Sequence, residues 1–366
     1  MAAATAGELM MADRLAAVLG DESEDTWPLY RKTEAVELGR GIATGGAPLL
    51  DGLVAELHGH TMQAEVCRAI LGQDALGSTD EVPHPEVNLN HPEAGTVLHW
   101  ALAQRLREAA LRLVACRHFR LVNSRRGSDG STALHLAATE GFADVVEALL
   151  AHPDFAAVGG VDRDGFTALH GAAYCGRTQC ARLLLACPRF GAAAGAIGNF
   201  DVPRPPGHWA IEAAADYDLR TALHMAAARG HAEVCRLILD MAPSNGASAN
   251  ATNRISATAL HIGARAGHTA ACREIIRNRA FTAVNVRDSR GFTALHWAAQ
   301  QASGDICQAL LARPDFTAVE TKDLRGRTAA DLAAEAGYHE VRRLILAKLG
   351  PTALRTEGSN GAVAGY

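Results

Sequence analysis

Aromatic residues make up only 5% of this 366-residue chain, so a core built on stacked rings is excluded and packing must rest on small and aliphatic side chains. No apolar stretch approaches the ~18 residues of a membrane-spanning helix, and the chain shows no basic segment followed by an apolar core at its N-terminus, so no secretory leader is expected. The expectation is a soluble intracellular protein, cytoplasmic with the nucleus as the other option. Neither sign of charge dominates. The 35 Lys and Arg against 40 Asp and Glu leave a net charge of −5, which argues against nonspecific nucleic-acid binding while allowing local basic patches. The constellations of an enzyme are also missing: a nucleophile beside a base, paired carboxylates in a cleft, or a phosphate-cradling glycine loop followed by Lys. Gly39-Arg40-Gly41 with Gly45-Gly46 lacks the Lys and Ser/Thr of such a loop. A non-catalytic chain with no cofactor and no metal is the reading.

What the chain does have is one recurring tetrapeptide. Thr132-Ala133-Leu134-His135 returns at Thr167 to His170, Thr221 to His224, Thr258 to His261 and Thr293 to His296. A period of about 35 residues means stacked supersecondary units, each sharing its apolar faces with its neighbours. The register extends well beyond the motif. A Phe falls 20 positions after the motif His at Phe119, Phe155, Phe190, Phe281 and Phe316, and a Gly five before it at Gly130, Gly165, Gly291 and Gly326. Asp162 and Asp288 stand eight before, where a side chain that bonds its own backbone suits a tight turn. Each copy reads as a turn, a first helix such as Thr132 to Glu140, a break at Gly141, and a second helix such as Ala143 to Leu150. Pro153, Pro188 and Pro314 share the place where the second helix must stop.

The pattern T-x-L-H-x-A-A, followed by G-H, V and L-L, resembles the ankyrin repeat and covers most of residues 95 to 348. Six copies follow the one carrying Leu98-His99, the last altered to Thr328-Ala329-Ala330-Asp331. The resemblance implies an all-α solenoid of stacked helix-turn-helix units with short β-hairpin fingers. Around it the chain divides into an acidic non-repeat segment at 1–45, a degenerate N-terminal repeat or cap with a loop at 46–94, and repeats at 95–190. An insertion at 191–217, repeats with a polar C-terminal cap at 218–348, and a flexible tail at 349–366 complete the expected layout. The insertion shows in the 54-residue step from His170 to His224, and a short helix near Trp209 to Ala215 is expected within it.

Sixteen His and eight Cys raise the question of metal. His231 with Cys235 and His268 with Cys272 have i, i+4 spacing, which alone is no site. Cys67, Cys235, Cys272 and Cys307 occupy one repeat position where Val146 stands in another copy, so they read as small core fillers with reduced thiols. In ankyrin repeats the motif His bonds backbone near the neighbouring turn. The resemblance therefore gives His99, His135, His170, His224, His261 and His296 a structural role. Val122-Asn123 and Val284-Asn285 match the finger position at which, in the family, an Asn steadies the turn.

Recognition in this family uses the finger tips and first helices of the concave face. Those positions here are Arg163, Phe166, Tyr174, Arg220, Arg229, Arg254, Arg265, Arg290, Phe292, Gln300, Gln301, Arg325 and Arg327. Arginine and aromatics lead the set, and both are enriched in binding hot spots. The function implied is a monomeric protein-interaction scaffold or adaptor that receives a partner of unknown identity, with an acidic or phosphorylated segment as the natural guest. A nucleic-acid or anionic-lipid binder using the arginines, and a regulatory subunit of an enzyme, are the alternatives.

Overall fold

The computed structural model describes residues 87–92, 94–189, 219–241 and 249–349. These belong to one compact unit, His60–Tyr366. The acidic segment, nearly all of the degenerate first repeat, Cys67, Phe190, the insertion with its expected helix, and the tail beyond Leu349 lie outside the described residues.

Fourteen helices are found among the described residues, in seven consecutive pairs. They are α1 Val97–Ala103 with α2 Arg107–Ala115, α3 Ala133–Glu140 with α4 Ala143–Ala151, α5 Ala168–Tyr174 with α6 Thr178–Ala186, and α7 Ala222–Ala228 with α8 Ala232–Met241. Then come α9 Ala259–Arg265 with α10 Thr269–Arg277, α11 Ala294–Gln300 with α12 Gly304–Leu311, and α13 Ala329–Glu335 with α14 His339–Leu349. Each first helix packs on the first helix of the next pair, and each second helix on the next second helix. Helices of two turns are too short to persist alone in water, so their stability comes from this stacking.

The sequence of the motif explains the local structure. The Thr is the N-cap in every pair, extended at φ −97 and ψ 167 in Thr132 for example, and the Ala-Leu that follows starts a helix well. The first helix stops where Gly141 takes φ 90, with its N–H and that of Phe142 both donating to the carbonyl of Ala137. Small residues such as Ala137, Ala138, Ala172, Ala173, Ala298 and Ala299 are wholly buried between neighbouring first helices, which lets them approach closely. Along the second helices runs an aliphatic column, Leu113, Leu149, Leu184, Ile238, Ile275, Leu310 and Ile345, all buried. The motif Phe119, Phe155, Phe281 and Phe316 fill the space beneath the helix ends. Cys235, Cys272 and Cys307 are fully buried and free, and burial pushes each thiol up to about 12, so they remain protonated fillers.

The fingers contain very little sheet. A two-residue hairpin pairs Asn90–His91 with Gly95–Thr96, and single bridges join Arg125 to Thr132 and Thr252 to Thr258. The reason lies in the turn residue. Asp162 Oδ1 accepts the N–H groups of Asp164 and Phe166, Asp288 those of Arg290 and Phe292, and Asp323 those of Arg325 and Arg327. A side chain thereby satisfies donors that a facing strand would otherwise take. Adjacent tips are joined by backbone bonds: Arg163 N–H to Asp129 O, Ser289 N–H to Ile255 O, and Leu324 N–H to Arg290 O. Farther along each finger an Asn clamps the next copy. Asn123 accepts from Ala156 N–H and donates to Asp154 O, and Asn285 does the same with Thr317 and Asp315. Asn88 and Asn250 make equivalent clamps, although the sequence had pointed to only two such positions.

Among the described residues, four other than Gly have positive φ: Arg105, Leu219, Ser256 and Ala302. All four stand where other copies place Gly, Arg105 and Ala302 at the first-helix exit, Leu219 and Ser256 at the finger turn. A Cβ in this left-handed region costs about 1 kcal/mol or more. Ala302→Gly and Ser256→Gly are therefore expected to raise stability by roughly 0.5 to 1 kcal/mol each, read as an increased midpoint in urea. Ala298→Gly, inside a helix, should lower it by about 1 kcal/mol.

Candidate functional site

The tip-and-helix face is built on the motif histidines. In all six the backbone N–H of the cap Thr donates to the ring Nδ1 at 3.1 to 3.2 Å. The other ring nitrogen reaches the next copy: His135 Nε2 to Phe166 O at 2.9 Å, His224 to Ala257 O at 3.0 Å, His261 to Val286 O at 3.1 Å and His296 to Arg327 O at 3.4 Å. A carbonyl needs a donor and an N–H needs an acceptor, so the ring is neutral with its proton on Nε2. Burial pushes the pKa of His99, His135, His170 and His224 down to about 4, and lowers His261 and His296 as well. The links lengthen along the stack from His135 to His296. Nε2 of His99, at the first copy, faces the backbone of Ser131 without a well-formed hydrogen bond.

A second set of bonds runs backward. His231 Nε2 meets Tyr174 O at 3.0 Å, His268 Nε2 meets Ala228 O at 3.1 Å, and Arg177 Nε donates to Thr139 O at 2.9 Å. These residues stand at one repeat position, and their acceptors at the end of the preceding first helix. The exit glycine makes room for them, since a Cβ on Gly176 would lie 2.5 Å from His231 Nδ1. The spacing of His231 with Cys235 and of His268 with Cys272 thus reflects stacking, the ring going to the previous copy and the thiol into the core. Among the described residues no three His, Cys, Asp or Glu side chains gather as a metal-holding group.

Upon this frame the sequence-derived recognition residues separate into two groups. Exposed on the face are Arg163, Arg229, Arg254, Arg290, Gln300, Gln301 and Arg325, with Tyr174, Arg220 and Arg265 half-buried. Arg229 lies over the Tyr174 ring, 4.9 Å from its centroid, and Arg163 Nη1 donates to Ser128 O at 2.9 Å. Three others do not present themselves. Phe166 and Phe292 are 3% and 6% exposed because their position faces the motif His of their own copy, 5.4 Å away between ring centroids in each case. Their rings support the finger turn and offer no contact surface. Arg327 is occupied by Asp323 at 2.9 Å and Glu335 at 2.8 Å.

Two residues missed in the sequence complete the face. Trp297 is nearly buried, its indole N–H donates to Asp288 Oδ2 at 2.8 Å, and both Arg265 and Arg290 lie over its ring, 5.8 and 5.6 Å from the centroid. Leu324, at a finger tip, is 74% exposed. The first-helix position of Trp297 carries Trp100, Leu136, Gly171, Met225, Ile262 and Leu332 in the other copies, so its residue type follows no consistent repeat signal; Leu324 is visible only as an apolar residue at a turn tip.

A family model of ankyrin repeats matches in three copies, over residues 98–194, 208–282 and 281–354. The chain is a member of the ankyrin-repeat family. Its fold is similar to that of the human ASB11 ankyrin repeat domain, with 23% identity and a TM-score of 0.51 over 69% of this chain and 98% of that one. The ankyrin repeat domain of Bcl-3, described as a unique member of the IkappaB protein family, is 22% identical with a TM-score of 0.50 over 69% of this chain and 99% of that domain. These likenesses concern the fold. A search of curated proteins gives no match. Ankyrin repeats are in general protein-interaction modules, and no helix among the described residues is long and apolar enough to cross a membrane.

The histidines set a pH dependence whose sign follows from their neutrality. A group held below its unfolded pKa of 6.5 contributes fully above that pH, and the contribution drains away as pH falls toward about 4. Asp162 opposes this: burial raises its carboxyl to about 7, against two N–H donors that pull it down, so its contribution is lost as pH rises. Near pH 5 the four most shifted histidines against one aspartate leave an uptake on unfolding of about three protons, to which His261 and His296 add in the same direction. Denaturation midpoints measured from pH 7 to pH 4 should fall steeply, and His135→Gln should flatten that slope by about one proton.

Proposed function

We propose that this ankyrin-repeat chain is a non-catalytic scaffold or adaptor that receives an acidic protein segment along its tip-and-first-helix face. The observation that supports this reading is the distribution of arginine. A chain of net charge −5 places Arg229, Arg254, Arg265, Arg290 and Arg325 on one face, while the buried positions beneath them are Ala, Leu and His. The acidic side chains of the same region are engaged: buried Asp288 by the Trp297 indole, buried Asp323 and exposed Glu335 by Arg327. A face of one sign on a chain of the other steers a complementary partner.

The second helices offer no such asymmetry. Their charges pair with one another, as in Arg107 with Asp144, Arg236 with Glu233 and Asp240, and Arg273 with Asp305.

The test is a binding series on a partner recovered by affinity capture with the intact chain. Arg265→Ala and Arg290→Ala should each cost about 1 to 3 kcal/mol of binding. Glu147→Ala, an exposed charge on α4, should cost nothing measurable. Arg→Lys at the same positions should weaken binding although the charge is kept, because the planar fork and its stacking are lost. Groove variants that bind like the parent would overturn the reading. Steeply salt-dependent binding to generic DNA would favour nucleic acid instead.

A further inference from the structure

At the C-terminal end of this face an apolar side chain stands between two cations. Leu324 N–H donates to Arg290 O at 3.2 Å, which fixes the two neighbouring tips against each other, and Arg325 follows Leu324 in the same turn. Leu324 is 74% exposed, although its turn is otherwise held closely by Asp323, which accepts from Arg325 N–H and Arg327 N–H at 2.8 Å each. Arg290 is held over the Trp297 ring, and that ring is anchored through its N–H to buried Asp288. Among the described residues neither Arg290 nor Arg325 forms an ion pair, and Asp288, Asp323 and Glu335 of the same two copies are engaged elsewhere.

We propose that Arg290, Leu324 and Arg325 anchor an acidic peptide segment of the partner: an apolar guest residue packs on Leu324, and carboxylates on either side of it pair with Arg290 and Arg325. This rests on the groove reading above and narrows it to two adjacent finger tips. Charge complementarity selects the acid, since two unpaired guanidinium groups flank the contact. The exposed leucine selects a peptide over a nucleic-acid backbone, because an aliphatic side chain gives phosphates nothing and offers no ring on which a base could stack. The indole under Arg290 orients its planar fork in advance, so less freedom is lost when a carboxylate binds.

The experiment is selection of a random twelve-residue phage-displayed peptide library on the full chain, followed by anisotropy titration of the labelled winning peptides. The expected winners carry Asp or Glu on both sides of an aliphatic or aromatic residue. Arg290→Ala, Arg325→Ala and Leu324→Ala should each weaken them roughly tenfold, and the Arg290→Glu/Arg325→Glu double variant should abolish binding. The arginine variants should also flatten the salt dependence, which Leu324→Ala should leave unchanged. Changing guest Glu to Gln should weaken binding as the arginine variants do, and phosphoserine in its place reports whether phosphate serves the same site. Arg163→Ala, at a distant tip, should bind like the parent. All these side chains are exposed, and circular dichroism checks that each variant is folded. Absence of winners, winners without acids, or winners that bind the double variant like the parent would overturn the proposal. If binding is lost instead in Arg163→Ala or Arg229→Ala, the groove reading stands and this one fails. If no face variant matters, both fail.

Discussion

A neutral imidazole, buried and bonded at both nitrogens, is the constraint on which the stack depends. Its Nδ1 closes the N-terminus of its own helix and its Nε2 proton goes to the next finger, so one side chain joins local capping to long-range stacking. Protonation breaks the first of these bonds, because an Nδ1 that carries a proton can no longer accept from the Thr N–H, while the Nε2 donor is kept. The Thr beneath it, the small residues behind it and the glycines around it are consequences of the same need. The ring must lie between two closely spaced units, and everything near it must be small or a hydrogen-bond partner. The backward bonds from Arg177, His231 and His268 secure the opposite edge of the helix pair. Each copy is thus held to both neighbours by polar links as well as by apolar contact.

Much of this frame was legible in the sequence, since stacking imposes the same residue at the same place in every copy. Gly130 and Gly165 take positive φ in the turns where the pattern put them, and Phe155 and Phe281 are wholly buried. The face was less legible for the corresponding reason. A position free to vary carries no periodic signal, and one-dimensional spacing does not say whether a side chain points out or folds back. Phe166 and Phe292 share the finger with exposed arginines, yet turn inward onto the motif His. Arg327 is one of several tip arginines, but Asp323 and Glu335 come to it from four residues before and eight residues after. Trp297 resembled an ordinary helix residue until the fold brought Arg265 and Arg290 to its ring.

Frame and face are also chemically segregated. Between copies the links made by the motif His and the finger Asn involve neutral imidazole, amide and carbonyl groups, which do not depend on net charge. Among the described residues the guanidinium groups of Arg290 and Arg325 make no hydrogen bond or ion pair, Arg290 resting on the Trp297 ring, while Arg163 and Arg313 serve the fold by donating to Ser128, Ile276 and Phe281 carbonyls. Arginines in this chain therefore divide by neighbours and not by exposure.

The last copy replaces the motif His with Asp331, whose Oδ2 accepts from both the N–H and the hydroxyl of Thr328 at 2.8 Å. The cap is preserved, but a carboxylate has no second nitrogen and so extends no donor toward a following finger. The series of repeats accordingly has a grammar: a unit carrying His at this place can be copied, inserted or exchanged for another such unit, whereas a unit carrying Asp there acts as a full stop. Gene duplication or repeat grafting that lengthens this protein should be tolerated upstream of Asp331, and downstream of it only if the histidine is restored.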